Sequence, residues 1–223
     1  MKSIIRDALH NKKIIELNEN LKLMIKDIYP NISDNDLITC YDYSGKKINL
    51  IINVNSEIKY ISVRGTNNIC LYKGNVKKLL NELLKINVSY KCILALLYYH
   101  YADGTCDGSG NMVSFGRLLE EDYKEQISIV NREFEDVNKY SKLLDFLLIK
   151  EKNEYSVDYF YLGNQKRGTI ISSELLKRKI LEYKDKYNHN FMRIGCVNFI
   201  SLRKNASKSC CVLKMNLFKY IKK

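Results

Sequence analysis

One proline, Pro30, stands in 223 residues, and none of the seven cysteines falls in a Cys-x-x-Cys pair. With 28% charged residues, the scarcity of proline argues against long disordered linkers. The cysteines (Cys40, Cys70, Cys92, Cys106, Cys196, Cys210 and Cys211) are scattered, which supports neither a zinc ribbon nor a dithiol redox motif. Most of them read as buried thiols of a reducing compartment. No window approaches the roughly 18 apolar residues of a membrane-spanning helix. "MKSIIRDALHNKKIIELNENLKLMIK" is broken by charge too often to hold a signal-peptide core. Acidic residues are also in deficit: 25 Asp and Glu against 37 Lys and Arg leave a net charge of +12 and a pI near 9.2. These features lead us to expect a cytoplasmic protein away from membranes, with a polyanionic partner. Each Lys or Arg that neutralises a phosphate releases a condensed counterion. A Lys-, Ile-, Asn- and Tyr-heavy composition also follows from an AT-rich genome, with the lysines then on a solvated surface.

What is there is enough for one core: 46% of the residues are hydrophobic. Apolar residues at helical spacing predict a helix over 12–29, closed by Pro30 and packing on that core. "LITCYDY" reads as a strand, followed by paired strands around an Asn55-Ser56 turn. After Gly74 the pattern turns helical through Val76 to Leu84 and again through Cys92 to Tyr99. A glycine-rich loop, a charged helical region to about Asp136 and a helix over 138–149 come next. "YSVDYFYLG" is a strand, "NQKRG" a turn, and Ser173 caps a helix over 174–187. Two strands joined by the basic loop Arg203 to Ser209 close the sequence. This order predicts one domain over 1–223, α/β or α+β, with a central mixed β-sheet flanked by helices.

The stretch "KINLIINVNSEIKYISVRGTNN", Lys47 to Asn68, carries the candidate chemistry. Ser62 and Arg64 are two apart and share a strand face, and pairing about the turn places Asn49 roughly opposite them. A metal-dependent phosphodiesterase is built on such a frame, with a carboxylate at one strand end holding Mg²⁺ and a lysine on the neighbouring strand orienting the attacking water. Here the two positions are Asn49 and Arg64. Asn offers only a neutral oxygen, and Arg is permanently protonated, although it clamps a phosphate in a bidentate way.

Lys47-Ile48-Asn49-Leu50, Ile61-Ser62-Val63-Arg64-Gly65 with Thr66-Asn67-Asn68, and "YYHYADGTCDGSG" (Tyr98 to Gly110) together resemble the PD-(D/E)XK restriction-endonuclease-like nuclease superfamily. Within it they are similar to a bacterial group that reads roughly "KTDI…ISIK-G-NS" and then "YH-DGT-DG-G". "VDYFYLGNQKRG" and "VLKMNLF" fall where that group has a strand and a lysine-bearing strand. The resemblance implies a site-specific, Mg²⁺-dependent type II restriction endonuclease of a restriction-modification or phage-defence system. It implies double-stranded DNA as partner, a homodimer suited to a palindromic target, and Asn49, Ser62 and Arg64 at the catalytic positions. The family's metal-binding Asp is Asn49 in this chain, and its Lys is Arg64. Two outcomes follow. One is a DNA-binding or regulatory protein that does not cut. The other is an enzyme that draws metal ligands from Asp42, Glu57, Asp103 or Asp107 beside Asn49. An ordinary hairpin without a site is the third reading of the same pattern. An enzyme acting on a small anionic substrate finds no supporting motif.

The remaining features divide in the same way. Asp103 and Asp107 lack the ligand spacing of an EF-hand, and a loop held by glycines and Asp-capped amides accounts for them without a metal. A loop so rich in glycine also lets its backbone approach a phosphate or base. His100, at a helix end, reads more readily as a bracing histidine than as a catalyst. Lys73 with Lys77 and Lys78, and Arg193 with Arg203, Lys204 and Lys208, form two basic groups suited to phosphates. Asn67 and Asn68 carry amides able to read adenine edges.

Overall fold

A computed structural model describes residues 2–65, 68–110, 123–151, 154–183, 192–202 and 210–221. The chain divides into two compact units, where the sequence led us to expect one domain. The first comprises residues 1–67, 148–180 and 217–223, and the second 68–147 and 181–216.

The first unit begins with α1 (Lys2–Leu9), a two-residue strand β1 (Lys12–Lys13) and a 3₁₀ turn (Ile14–Glu16). α2 (Glu19–Ile28) follows, with Asn18 capping it by accepting the Leu21 N–H at 3.0 Å. The helix expected over 12–29 is therefore only its second half. Ile14 and Leu17 mimic helical spacing because a 3₁₀ turn buries them against the same core. The sheet is built from β1, β2 (Leu37–Asp42), β3 (Leu50–Val54), β4 (Glu57–Arg64), β6 (Tyr159–Gly163) and β7 (Gly168–Ser172), in that order. All neighbours are antiparallel except β4 and β6, which makes the sheet mixed. The β3–β4 hairpin turns at Asn55 and Ser56, both with positive φ (51° and 69°), as a two-residue hairpin requires.

Alternation gives β3 the buried residues Leu50, Ile52 and Val54 on one face. They join Ile38, Cys40, Ile61, Val63 and Tyr161 against Ile5 and Leu9 of α1 and Leu21, Ile25 and Ile28 of α2. Each fully buried Leu or Ile contributes about 1.5–3 kcal/mol, so this face fixes the register of β3 and β4. The Tyr29 hydroxyl donates to the Ile52 carbonyl at 2.8 Å, tying the end of α2 under the hairpin. Asn20 donates to Tyr161 Oη at 2.6 Å and accepts the Gly168 N–H at 3.1 Å, which ties α2 to the β6–β7 turn. α7 (Ser173–Glu182) leads directly off β7.

The second unit is an antiparallel sheet of β5 (Asn68–Asn75), β10 (Cys210–Asn216), β9 (Val197–Leu202) and β8 (Arg193–Ile194), with a bulge between Leu213 and Lys214. Its helices are α3 (Val76–Lys85), α4 (Tyr90–Tyr101), α5 (Lys124–Glu133) and α6 (Val137–Leu144), the last running into a π turn at Asp145–Ile149. α4 packs on α5 and β9. Asn75 and Ser89 cap α3 and α4, and Glu133 holds both the Ser89 amide and hydroxyl. His100 is buried, with its Nδ1 2.9 Å from Ser201 Oγ, the bracing role expected of it. Among the described residues no helix is long and apolar enough to cross a membrane.

Candidate functional site at the sheet end

The β3–β4 ladder pairs Leu50 with Ile61, and the Asn49 N–H donates to the Ile61 carbonyl at 2.9 Å. That bond is one residue out of the ladder register, so the regular pairing ends at Leu50, and Asn49 and the Lys46 and Lys47 carbonyls meet β4 through side-chain bonds. Ile48 is fully buried, whereas Lys47, Asn49 and Arg64 are half-buried. Asn49, Ser62 and Arg64 come together around the Lys47 carbonyl and the Val63 amide.

Their bonds give each a definite state. Asn49 Oδ1 accepts the Val63 N–H at 2.8 Å, so the side chain extends the ladder where the backbone departs. Ser62 is fully buried, and its hydroxyl donates to the Lys47 carbonyl at 2.7 Å. Arg64 Nη2 lies 3.4 Å from the same carbonyl and 3.5 Å from that of Lys46. Lys47 is the hub. Its Nζ donates to the Lys150 carbonyl, and its amide donates to Glu151 Oε2 at 2.8 Å. Glu151 Oε2 also takes the Ile48 amide at 3.4 Å. Burial pushes the Lys47 ammonium down to about 8; Glu151 opposes the shift and Lys46 adds to it. Gly45 leaves room for this arrangement, since a Cβ there would stand 2.6 Å from Glu151 Oε2 and 2.5 Å from the Tyr43 ring.

Sequence reasoning did not find Glu151. It reaches the site from a turn about a hundred residues away, and one Glu beside lysines carries no local signal. The Lys47 amine stood in the motif without a role, because its desolvation depends on the segment around Lys150.

The other candidates lie elsewhere. Asp42 pairs with Arg6 and, at 3.9 Å, with Lys2. Glu57 pairs with Lys59 at 2.8 Å. Asp103 and Asp107 belong to the second unit, in the loop after α4. Asp103 Oδ1 accepts the Thr105 amide at 3.0 Å and its hydroxyl at 2.7 Å. Asp107 Oδ1 accepts the Ser109 amide at 2.9 Å, and bonds from Ser109 and Thr105 hold this carboxyl below its usual range. Lys73 is exposed on β5 and pairs with Val212; Arg193 lies on β8 opposite Asn198. Asn68 opens β5 opposite Asn216. Asn67, Arg203, Lys204 and Lys208 lie outside the described residues.

The Mg²⁺ that the resemblance implies does not fit the donors at the sheet end. Asn49 Oδ1 is neutral and already bonded, the Ser62 hydroxyl is turned inward, and Glu151 Oε2 is engaged by two backbone amides. Lys47 and Arg64 bring two positive charges to a place where a cation would have to bind. Among the described residues no group of three or more His, Cys, Asp or Glu side chains could hold a metal ion.

No family model and no curated protein matches the sequence. The fold, in contrast, is similar to the crystal structure of the restriction endonuclease MspI in complex with its cognate DNA. The TM-score is 0.54 at 12% identity, covering 96% of this chain and 87% of that one. A mixed sheet with flanking helices and this structural likeness give the chain a restriction-endonuclease-like fold.

Proposed function

We propose that this chain is a DNA-binding protein that uses the end of its six-stranded sheet as a phosphate clamp. The observation that carries the reading is the charge at the site: Lys47 and Arg64 flank Asn49, where a metal-dependent nuclease would place a carboxylate. A carboxylate repels phosphate and needs a metal ion between them. With a neutral amide there and two cations beside it, the phosphate contacts the protein directly. Arg64 supplies the planar fork and Lys47 a point charge. The fold likeness to a protein solved on its cognate DNA supports double-stranded DNA as partner. We further assign Lys73 and Arg193, with Arg203, Lys204 and Lys208, to phosphate contacts, and Asn67 and Asn68 to base edges. The cellular setting is a cytoplasmic restriction or phage-defence system, with the chain acting as a homodimer at a palindromic site.

A second reading, in which the chain cleaves DNA with Mg²⁺, is favoured by one observation. Asp103 Oδ2 is buried and has no hydrogen-bond partner among the described residues. Incubation with mixed plasmid DNA in EDTA and in Mg²⁺, beside a binding assay, separates the two. The clamp predicts binding in EDTA and intact plasmid in both buffers. Mg²⁺-dependent cutting abolished by Asp103→Ala would establish the second reading, and absence of binding at low salt would overturn both. The double change Asn49→Asp with Arg64→Lys restores the ligand and the lysine, and its expected result is Mg²⁺-dependent nicking.

A further inference from the structure

Beside the clamp, on the same face of the sheet, stands a group of three tyrosines. Tyr60 precedes Ser62 and Arg64 by two and four residues on β4, so alternation aims all three the same way. The Tyr43 N–H donates to the Asn49 carbonyl at 2.9 Å, which places Tyr43 beside Asn49. Tyr155 comes from the turn that also carries Glu151, and the Glu151 N–H donates to the Tyr155 carbonyl at 2.8 Å. One residue, Glu151, therefore fixes both the Lys47 backbone and the position of Tyr155.

The rings form a half-built stack. Tyr155 lies against Tyr60 with centroids 4.9 Å apart and planes 36° apart. Tyr43 meets both edge-on, at 6.5 Å from Tyr60 and 6.3 Å from Tyr155, which limits how far either ring can turn. Tyr155 is nonetheless 46% exposed, which leaves part of it open to solvent. A pre-oriented aromatic face beside two cations, on a chain of net charge +12, has the composition of a nucleotide platform. The ring receives a base, and the cations receive its phosphate. A base inside a duplex has both faces covered by its neighbours, so only an unpaired one can stack there.

We infer that this sheet face takes an unpaired nucleotide, with its base on Tyr155 and its phosphate on Lys47 and Arg64. The partner class is thereby single-stranded or locally unpaired DNA in addition to duplex. The inference rests on the phosphate-clamp reading.

The test uses the full chain with three probes: a single-stranded oligonucleotide, the matching duplex, and that duplex with one unpaired 2-aminopurine. Anisotropy reads affinity, and 2-aminopurine fluorescence reads stacking. The wild type is expected to quench the unpaired probe on binding. Tyr155→Ala should weaken binding of the single strand and of the unpaired probe by about 5- to 150-fold, the span of one lost base–aromatic stack, and abolish the quench. Tyr155→Phe should retain both. Tyr155→Leu, which keeps apolar bulk on Tyr60 without a π face, should behave as Tyr155→Ala and so separates stacking from folding. Duplex affinity should move less than about twofold. Unchanged single-strand affinity and quenching in Tyr155→Ala and Tyr155→Leu, or an equal loss on duplex, would overturn the inference. Duplex binding that depends on Arg64 beside a silent Tyr155 would leave the clamp standing and remove only the base platform. Failure to bind any of the three probes would remove both.

Discussion

Replacing Lys47 by methionine removes a charge that the fold partly desolvates while keeping most of the stem's apolar bulk. Burial lowers the ammonium from its ordinary 10.5 to about 8. At about 1.4 kcal/mol for each tenfold change in proton affinity, the charge costs the folded state at most about 3 kcal/mol. The side chain keeps some solvent, which brings the expected cost nearer 1–2 kcal/mol. Below pH 8 the amine is charged in both the folded and unfolded chain, and the folded state bears the whole penalty. Between pH 8 and 10.5 the unfolded chain binds more protons, so wild-type stability rises with pH until the penalty is gone. Lys47→Met has no such dependence. Urea unfolding of both proteins at pH 7.5 and 10 isolates the effect, because every other titrating group is common to the two. Their stability difference should shift by about 1–2 kcal/mol in favour of the wild type at the higher pH. A difference that does not change with pH would show an ordinarily solvated amine and refute the placement of Lys47 at the hub.

Asn49→Ala should cost about 1–3 kcal/mol by stranding the Val63 N–H, whereas Asn49→Asp keeps an acceptor there and should cost less; urea midpoints compare them. Gly163 has φ +144°, and a Cβ would stand 2.2 Å from the Arg167 carbonyl oxygen and 2.4 Å from Gly168 Cα. Gly163→Ala should therefore destabilise by about 2–4 kcal/mol in a thermal melt, since both obstacles are backbone. Asp103→Ala removes the acceptor for the Thr105 amide and hydroxyl. It should cost about 1–2 kcal/mol and open the loop to protease, with the Lys47–Arg64 contribution to DNA binding unchanged.

Local chemistry made part of this structure readable from sequence. Asn55 and Ser56 adopt positive φ readily and lie between alternating apolar runs, so the hairpin and its register could be placed. The proximity of Asn49 to Ser62 and Arg64 was suggested by that register, but the ladder ends at Leu50 and side-chain bonds make the contacts beyond it. What sequence hid depends on distant partners. β5, with Lys73 and Gly74 in it, reads poorly as a strand and is held by pairing with β10, some 140 residues on. β7 is five residues long and was hidden within the turn and helix signals around it. β1 is two lysines whose strand conformation comes from pairing with Leu37 and Ile38. The division into two units was equally hidden, because the chain leaves the first sheet after β4 and returns for β6. Glu151 and the tyrosine group required that return to be known.

The central claim is that Lys47 and Arg64 touch DNA phosphate directly, without a metal ion between them. Its most direct measurement is the salt dependence of duplex binding in EDTA, for the wild type and for Lys47→Ala with Arg64→Ala. Each phosphate contact contributes about 0.9 to the slope of log affinity against log salt. The wild type is expected to bind in EDTA, and the double variant's slope to be shallower by about 1.8. An unchanged slope, or binding that requires Mg²⁺, would contradict the claim.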